Sequence, residues 1–140
     1  DWSSDVCSSD LMDLFEESYF SHFLKNIIEL CFYKKFKINR VYANCQSYGQ
    51  NGSYHIDSDN VNNNEFTFCI YLSKLQKNIY DEVDGHLIFK LPDLKFNLCY
   101  EPLFNRGIFF PSHYLHKSQS FNRYINEQRI CVAFKLQQIN

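Results

Sequence analysis

Beyond residue 37 the chain carries no further helical period, only short runs rich in aromatic and β-branched residues, separated by turn formers. Residues 39–48, 53–57, 66–73, 85–91, 96–100, 107–110, 114–118 and 128–136 read as strands, about eight in all. Val, Ile, Thr, Phe and Tyr suit a pleated, half-buried surface, which is why such runs favour strands. Asn51-Gly52 predicts a type I′ turn between the first two runs, since both residue types accept positive φ. The Asn-rich stretch 59–64 reads as a loop. Short strands at regular spacing, with no internal repeat, predict a sandwich or barrel. Ahead of them lies one helical pattern over residues 13–35, in which Phe20, Phe23, Leu24, Ile27, Ile28 and Cys31 share a face at i, i+3, i+4 spacing. The expected class is mainly β, with an N-terminal helix covering one face of a sheet.

Composition narrows what such a chain does. At 140 residues, 45% of them apolar and 21% charged, it is one domain with a packed core and not a disordered chain. Its 14 Phe and 10 Tyr suit a small β-rich core. A net charge of -2 gives no basic surplus, so neither nucleic acid nor an anionic membrane is expected as a partner. No apolar run approaches the ~20 residues of a membrane helix. The six Cys, at positions 7, 31, 45, 69, 99 and 131, form no CxxC pair and read as reduced core residues of a cytoplasmic protein. Residues 1–11, DWSSDVCSSDL, lack any period and also lack the basic start and apolar middle of a signal peptide. They resemble translated sequencing-adapter DNA and are set aside as a non-native tail. Residues 12–140 are then a single domain, with a strand-rich core at about 39–136.

The chemistry centres on Tyr54-His55-Ile56-Asp57. Side chains alternate along a strand, so His55 and Asp57 share a face and offer an imidazole and a carboxylate to one metal ion. A third ligand must come from elsewhere, and His86, His113 and His116 lie downstream. Two histidines and one carboxylate leave three coordination positions open, the facial triad of non-haem Fe(II) sites that activate O₂. His113 and His116 are three apart and on one strand would face opposite sides, so only one of them enters such a site. Arg129 opens the last strand, and a guanidinium there suits a carboxylate held by two parallel hydrogen bonds. Lys117, Arg123 and Lys135 read as solvated surface charges, His86 as a solvated residue, and His22 as structural.

Six stretches follow one another in a recognisable order: Tyr48-Gly49-Gln50, His55-x-Asp57, FTFCIYLS at 66–73, GHLIF at 85–89, Phe109-Phe110-Pro111-Ser112 with His116, and Arg129 at the head of RICVAFK. From about residue 39 to 136 the chain resembles the Fe(II)- and 2-oxoglutarate-dependent dioxygenases, in their prolyl-4-hydroxylase-like branch. The resemblance implies a double-stranded β-helix, or jelly roll, of eight strands. It implies His55, Asp57 and His116 as iron ligands, and Arg129 as the partner of the distal carboxylate of 2-oxoglutarate. Tyr71, sixteen residues after His55, is implied as a second group on that carboxylate, with Tyr48 or Asn44 of the first strand helping to hold the co-substrate. The implied cofactor is Fe(II), with 2-oxoglutarate and O₂ as co-substrates and ascorbate admitted alongside. The implied reaction is hydroxylation of a C–H bond in a prolyl or other peptidyl side chain or in a small molecule. Two departures stand out: His86 occupies a position where a second Gly is common, and thirteen residues separate His116 from Arg129. Halogenating enzymes of this fold lack the carboxylate ligand, whereas Asp57 is present. The alternative of a different class is a jelly-roll binding or structural module without turnover.

Overall fold

The computed structural model describes residues 10–16, 18–60, 64–75 and 83–139. Its elements are β1 (Asp10–Leu14), α1 (Tyr19–Phe32), β2 (Lys35–Gln46), β3 (Glu65–Tyr71), β4 (Leu87–Phe89), β5 (Leu98–Tyr100), β6 (Gly107–Pro111), β7 (His116–Ser118) and β8 (Arg129–Ile139). Five strands form one antiparallel sheet in the order β1-β2-β8-β3-β6, and three form a second in the order β5-β4-β7. A single bridge between His55 and His116 adds one rung beyond β7. The architecture is the expected one: mainly β, a two-sheet jelly roll with a helix laid over one face.

Strand β8 lies between β2 and β3 and is buried on both faces. Val132, Phe134 and Leu136 turn to one side and pack with Val41 and Ala43 of β2 and with Leu24 and Ile28 of α1. Cys131 and Ala133 turn to the other side, against Cys69 and Tyr71 of β3 and Leu87 and Phe89 of β4. Alternation of side chains along a strand produces both layers from one stretch of sequence. A strand covered on both faces reads as a near-continuous apolar run, as residues 130–134 do. The register sets Asn44, Cys131 and Tyr71 in one row across the sheet and Tyr42, Ala133 and Cys69 in the next, and it sets Lys135 opposite Thr67.

The helix is shorter than its apolar period predicts. Ser18 is the N-cap, its hydroxyl accepting from the Ser21 amide at 3.1 Å, and Tyr33 closes the helix in the left-handed region at φ 54. Asp13 and Leu14 therefore belong to β1, and β2 starts as early as Lys35. The stripe that packs is also narrower. Ser21, Leu24 and Ile28 are buried, whereas Phe23 and Ile27 keep 51% and 40% of their surface exposed and Cys31 is exposed. Asp10 and Leu11, the last two residues of the segment set aside as a tail, pair with Cys45 and Asn44, so the paired backbone starts ahead of Met12. Residues 1–9 lie outside the described residues, as do 61–63 of the Asn-rich loop.

The expected hairpin at Asn51-Gly52 is absent. The chain turns earlier, at residues 47–50, where Gly49 takes φ 84 and the Gln50 amide donates to Ser47 O at 3.1 Å. Neither Asn51 nor Gly52 has positive φ. Asn51 Oδ1 instead accepts from the Ser120 amide at 2.8 Å, and the Gly52 amide donates to Ser118 O at 2.9 Å. These bonds draw the segment toward β7 instead of back onto β2, so residues 53–57 form one bridge and not a strand. Gly52 is needed for closeness, since a Cβ there would meet Ser118 Oγ at 2.8 Å. Of the five described cysteines, all free, Cys69 and Cys131 are core residues as expected, but Cys31 and Cys99 are exposed. No helix among the described residues is long and apolar enough to cross a membrane.

Phe134 is fully buried in the helix-side layer. Phe134→Ala is expected to lower the unfolding free energy by about 3–5 kcal/mol, measured by urea denaturation. Deleting residues 1–9 is expected to leave the urea midpoint unchanged, whereas deletion through Leu14 removes the β1 ladder from β2 and lowers it.

Candidate metal centre

His55, Asp57 and His116 each bring a ligand atom within 4.8 Å of the other two. The backbone arranges this. His55 N donates to His116 O and His116 N to His55 O, both at 2.9 Å, which sets the rings side by side with centroids 4.5 Å apart. Two residues on, the Asp57 amide donates to Ser112 O at 2.8 Å and turns the carboxylate toward both rings. Asp57 Oδ1 lies 3.6 Å from His55 Nε2, and Oδ2 lies 3.7 Å from His116 Nε2. Each Nδ1 faces a backbone carbonyl, Ser53 O at 2.9 Å and Tyr114 O at 2.8 Å. A carbonyl only accepts, so each Nδ1 carries a proton, and Nε2 is the ring atom turned to the cluster. Burial pushes His116 down to about 4, so its ring is neutral at pH 7. Two imidazole nitrogens and one carboxylate, on adjoining segments, form a donor set that fits Fe(II).

Asp57 is gripped from behind. Thr67 Oγ1 donates to Oδ2 at 2.6 Å, and the Lys135 ammonium forms an ion pair with the same oxygen. Lys135 Nζ also lies 3.4 Å from Thr67 Oγ1, and Thr67 Oγ1 lies 3.1 Å from Ser112 Oγ. Burial pushes the Asp57 carboxyl up, but Lys135, His116 and Thr67 outweigh it and hold the group below the usual carboxylate range. Burial likewise pushes the Lys135 ammonium down, and Asp57 more than reverses it. Lys135 is thus no solvated surface charge. It shares the inward parity of Arg129, Cys131 and Ala133 on β8, and all four line one cavity of about 60 Å³.

At the far end of that cavity Arg129 is 2% exposed. Its Nε donates to Gly85 O at 2.7 Å, one terminal nitrogen to Gln46 Oε1 at 2.8 Å, and the other to the Tyr71 hydroxyl at 3.4 Å. Its guanidinium carbon sits 5.0 Å from the Tyr71 ring centre. All these partners are neutral, so a buried positive charge has no carboxylate among the described residues. Gln46 is fixed in turn by donating to Gln50 O at 2.7 Å and Ser118 Oγ at 2.9 Å. Gly85 must be glycine, because it takes φ 77 and a Cβ would come within 2.7 Å of the Phe121 ring. Asn44 lines the cavity, and its Oδ1 is buried without a hydrogen-bond partner. A guanidinium with N–H groups to spare and no anionic partner, next to a tyrosine hydroxyl, fits one carboxylate of a small dicarboxylate.

The structure brings six of the seven residues expected at the site together. The exception is Tyr48, which is 64% exposed on the turn past the end of β2; Tyr42, one strand-facing position before Asn44, lines the cavity instead. His113 sits in a turn ahead of β7, outside the metal cluster, with Nδ1 buried and unpartnered. Tyr42, Thr67 and Lys135 also line the cavity and Gln46 braces Arg129, and motif reading misses all four. Strand parity finds them: each lies an even number of residues from Asn44, Tyr71 or Arg129 on the same strand.

No protein-family model matches the chain, and no curated protein matches it. Solved structures do. A prolyl-4-hydroxylase of Pseudomonas putida is 11% identical over 94% of this chain and 73% of its own, with a TM-score of 0.68. A prolyl hydroxylase from Trichoplax adhaerens, solved with a hypoxia inducible factor oxygen degradation domain peptide fragment, is 16% identical over 92% of this chain and 62% of its own, with a TM-score of 0.70. A 2OG-Fe(II) oxygenase family oxidoreductase from Burkholderia pseudomallei is 13% identical over 87% of this chain and 54% of its own, with a TM-score of 0.63. The chain thus spans about half to three quarters of the length of these proteins. Its fold is that of the prolyl-4-hydroxylase-like 2OG oxygenases.

His55→Ala, Asp57→Ala and His116→Ala are each expected to abolish Mn(II) binding in calorimetric titration, while His113→Ala keeps it. Thr67→Val removes the hydroxyl that orients Asp57 and is expected to weaken Mn(II) binding about 10- to 100-fold.

Proposed function

We propose that the chain is a non-haem Fe(II) oxygenase that couples oxidative decarboxylation of 2-oxoglutarate to hydroxylation of a substrate C–H bond. The observation that carries this reading is one cavity holding both a two-histidine, one-carboxylate cluster and a buried guanidinium without an anionic partner. Fe(II), when bound, supplies the activation of O₂. His55, Asp57 and His116 hold the ion through two Nε2 atoms and a carboxylate oxygen. Thr67 and Lys135 hold the remaining carboxylate oxygen and so fix the plane of Asp57. Arg129 and Tyr71 receive the distal carboxylate of 2-oxoglutarate, with Asn44 reaching in from β2, and set its orientation relative to the ion. Phe110 and Phe89, with ring centres 4.9 Å and 5.8 Å from that of His116, shield the inner side of the cluster from water.

The acceptor is a protein side chain or a small molecule; the prolyl hydroxylases of like fold, one of them solved with a peptide, favour the former. Free thiols at all five described cysteines accord with work in the cytoplasm. One observation favours the second reading, a binding module without turnover: the Lys135 ammonium already sits on the carboxylate that a metal would need. Adding 2-oxoglutarate to the Fe(II)-loaded protein under nitrogen separates the two. A visible charge-transfer absorption, followed by succinate once O₂ is admitted, supports the oxygenase; neither signal supports the module.

Arg129→Ala is expected to weaken 2-oxoglutarate by about 30- to 1000-fold, since removing one partner of a dry, charged pair costs roughly 2–4 kcal/mol. Mn(II) binding should be nearly untouched, because Arg129 does not reach the cluster. Arg129→Lys should recover only part, as an ammonium cannot present the planar fork. Tyr71→Phe should cost about 1 kcal/mol, the worth of one neutral donor. A 2-oxoglutarate titration of succinate formation reads all three.

A further inference from the structure

The cavity holds two cations, and the proposed reaction gives only one of them a ligand to bind. Arg129 and Lys135 line it with a single carboxylate, Asp57, among the described residues. Both cations point inward from β8, six residues and hence about 20 Å apart along the strand. Arg129 has the dicarboxylate end to itself. Lys135 has the metal end: Nζ pairs with Asp57 Oδ2, approaches Thr67 Oγ1 at 3.4 Å, and lies 5.6 Å from the Tyr42 ring centre. Its one anionic partner is therefore the group that ligates the metal.

Charge then decides what the site lacks. With a dication on Asp57 and a dianionic keto acid reaching Arg129, the cavity is left with one positive charge in excess. Without Lys135 the same set would be neutral. Net charge in a partly buried cavity is costly, so an anionic group arriving with the substrate is favoured there. The Lys135 end is also the open end. Its side chain keeps 21% of its surface and that of His55 keeps 37%, against 6% for Asp57 and 7% for His116. The Lys135 side chain is thus partly open to solvent beside the candidate metal cluster. A neutral prolyl side chain leaves it unanswered.

Resting on the oxygenase reading above, we propose that Lys135 is the specificity residue of the site and that the substrate is an acid. A carboxylate close to the reacting C–H bond docks on the ammonium, and it comes from an acidic peptide side chain or from a small carboxylic acid. A lysine that served only as counter-ion to Asp57 would leave substrate choice indifferent to its charge.

Mn(II)-loaded protein with 2-oxoglutarate cannot turn over, so it reads binding alone. Two peptide pools are offered to it, identical except that Asp and Glu in one are Asn and Gln in the other. Free carboxylic acids are offered beside their amides in a separate arm. Wild type is expected to prefer acids at least about tenfold in one arm, and that arm names the source. Lys135→Met should erase the preference, Lys135→Arg should keep it, and Lys135→Glu should turn it toward basic members. If Lys135→Met fails to fold, the wild-type preference and the Lys135→Arg and Lys135→Glu variants still decide. Equal binding of acids and amides, or a preference that survives Lys135→Met, overturns this inference and leaves the oxygenase standing. Failure of wild type to bind 2-oxoglutarate at all overturns the oxygenase reading and this inference with it.

Discussion

Strand β8 is hydrogen-bonded along both edges and covered on both faces, so each side chain from Arg129 to Leu136 has one of two buried destinations. Even positions fill the layer beneath α1, and odd positions line the cavity. A slip of one residue would drive a guanidinium and an ammonium into the layer of Phe134 and Val132 and turn those apolar groups toward the cluster. Burying two unpaired cations costs far more than any local propensity can return. The register of the larger sheet and the placement of its two cations are thus one constraint, and the rows it fixes carry Tyr42, Asn44, Thr67 and Tyr71 to their places.

Within the cavity the charges are kept apart by a simple division. Asp57 is held from three segments: its carboxylate accepts from Thr67 of β3 and pairs with Lys135 of β8, and its amide donates to the Ser112 carbonyl. Arg129 gathers only neutral acceptors and a hydroxyl, from β2, β3 and the turn before β4. A guanidinium satisfied by neutral groups keeps its shape without losing its charge, and its attraction for an incoming carboxylate remains. Had a described Asp or Glu been its partner, the same residue would be structural cement with nothing to offer a ligand.

The legible part of this design is the part with a short period or a fixed spacing. His55 and Asp57 offer themselves as alternate residues of one stretch, and Tyr71 and the role of Arg129 enter the candidate site through the resemblance to the dioxygenases. Most strands read correctly because β-branched and aromatic residues cluster where the sheet is. The rest depends on partners distant in sequence. Lys135 looks like a surface charge next to Phe134 until β8 is known to be central, and Gln46 carries no signal before the register sets it opposite Arg129. Asn51-Gly52 carries a strong local turn signal, yet the Ser118 and Ser120 backbones outbid it. The helix start was hidden for a different reason: apolar Leu14 continues the helical stripe, and only the Ser18 cap breaks it.

The candidate metal ligands rest on very little regular structure. Residues 53–57 contribute one bridge, not a ladder, so the third point of support has to come from outside the strand. Ser112 provides it. Its carbonyl accepts the amides of Asp57 and Ser58 at 2.8 and 3.2 Å, its own amide is tied to Glu65 O at 3.0 Å, and its hydroxyl meets Thr67. One residue thus couples the Asp57 segment, the start of β3 and the turn that leads to His116. All three candidate ligands sit at strand ends and turns, tied to their neighbours by a few backbone hydrogen bonds. The bonds that hold the cluster are few, and the apolar layer beneath α1 lies on the other face of β8.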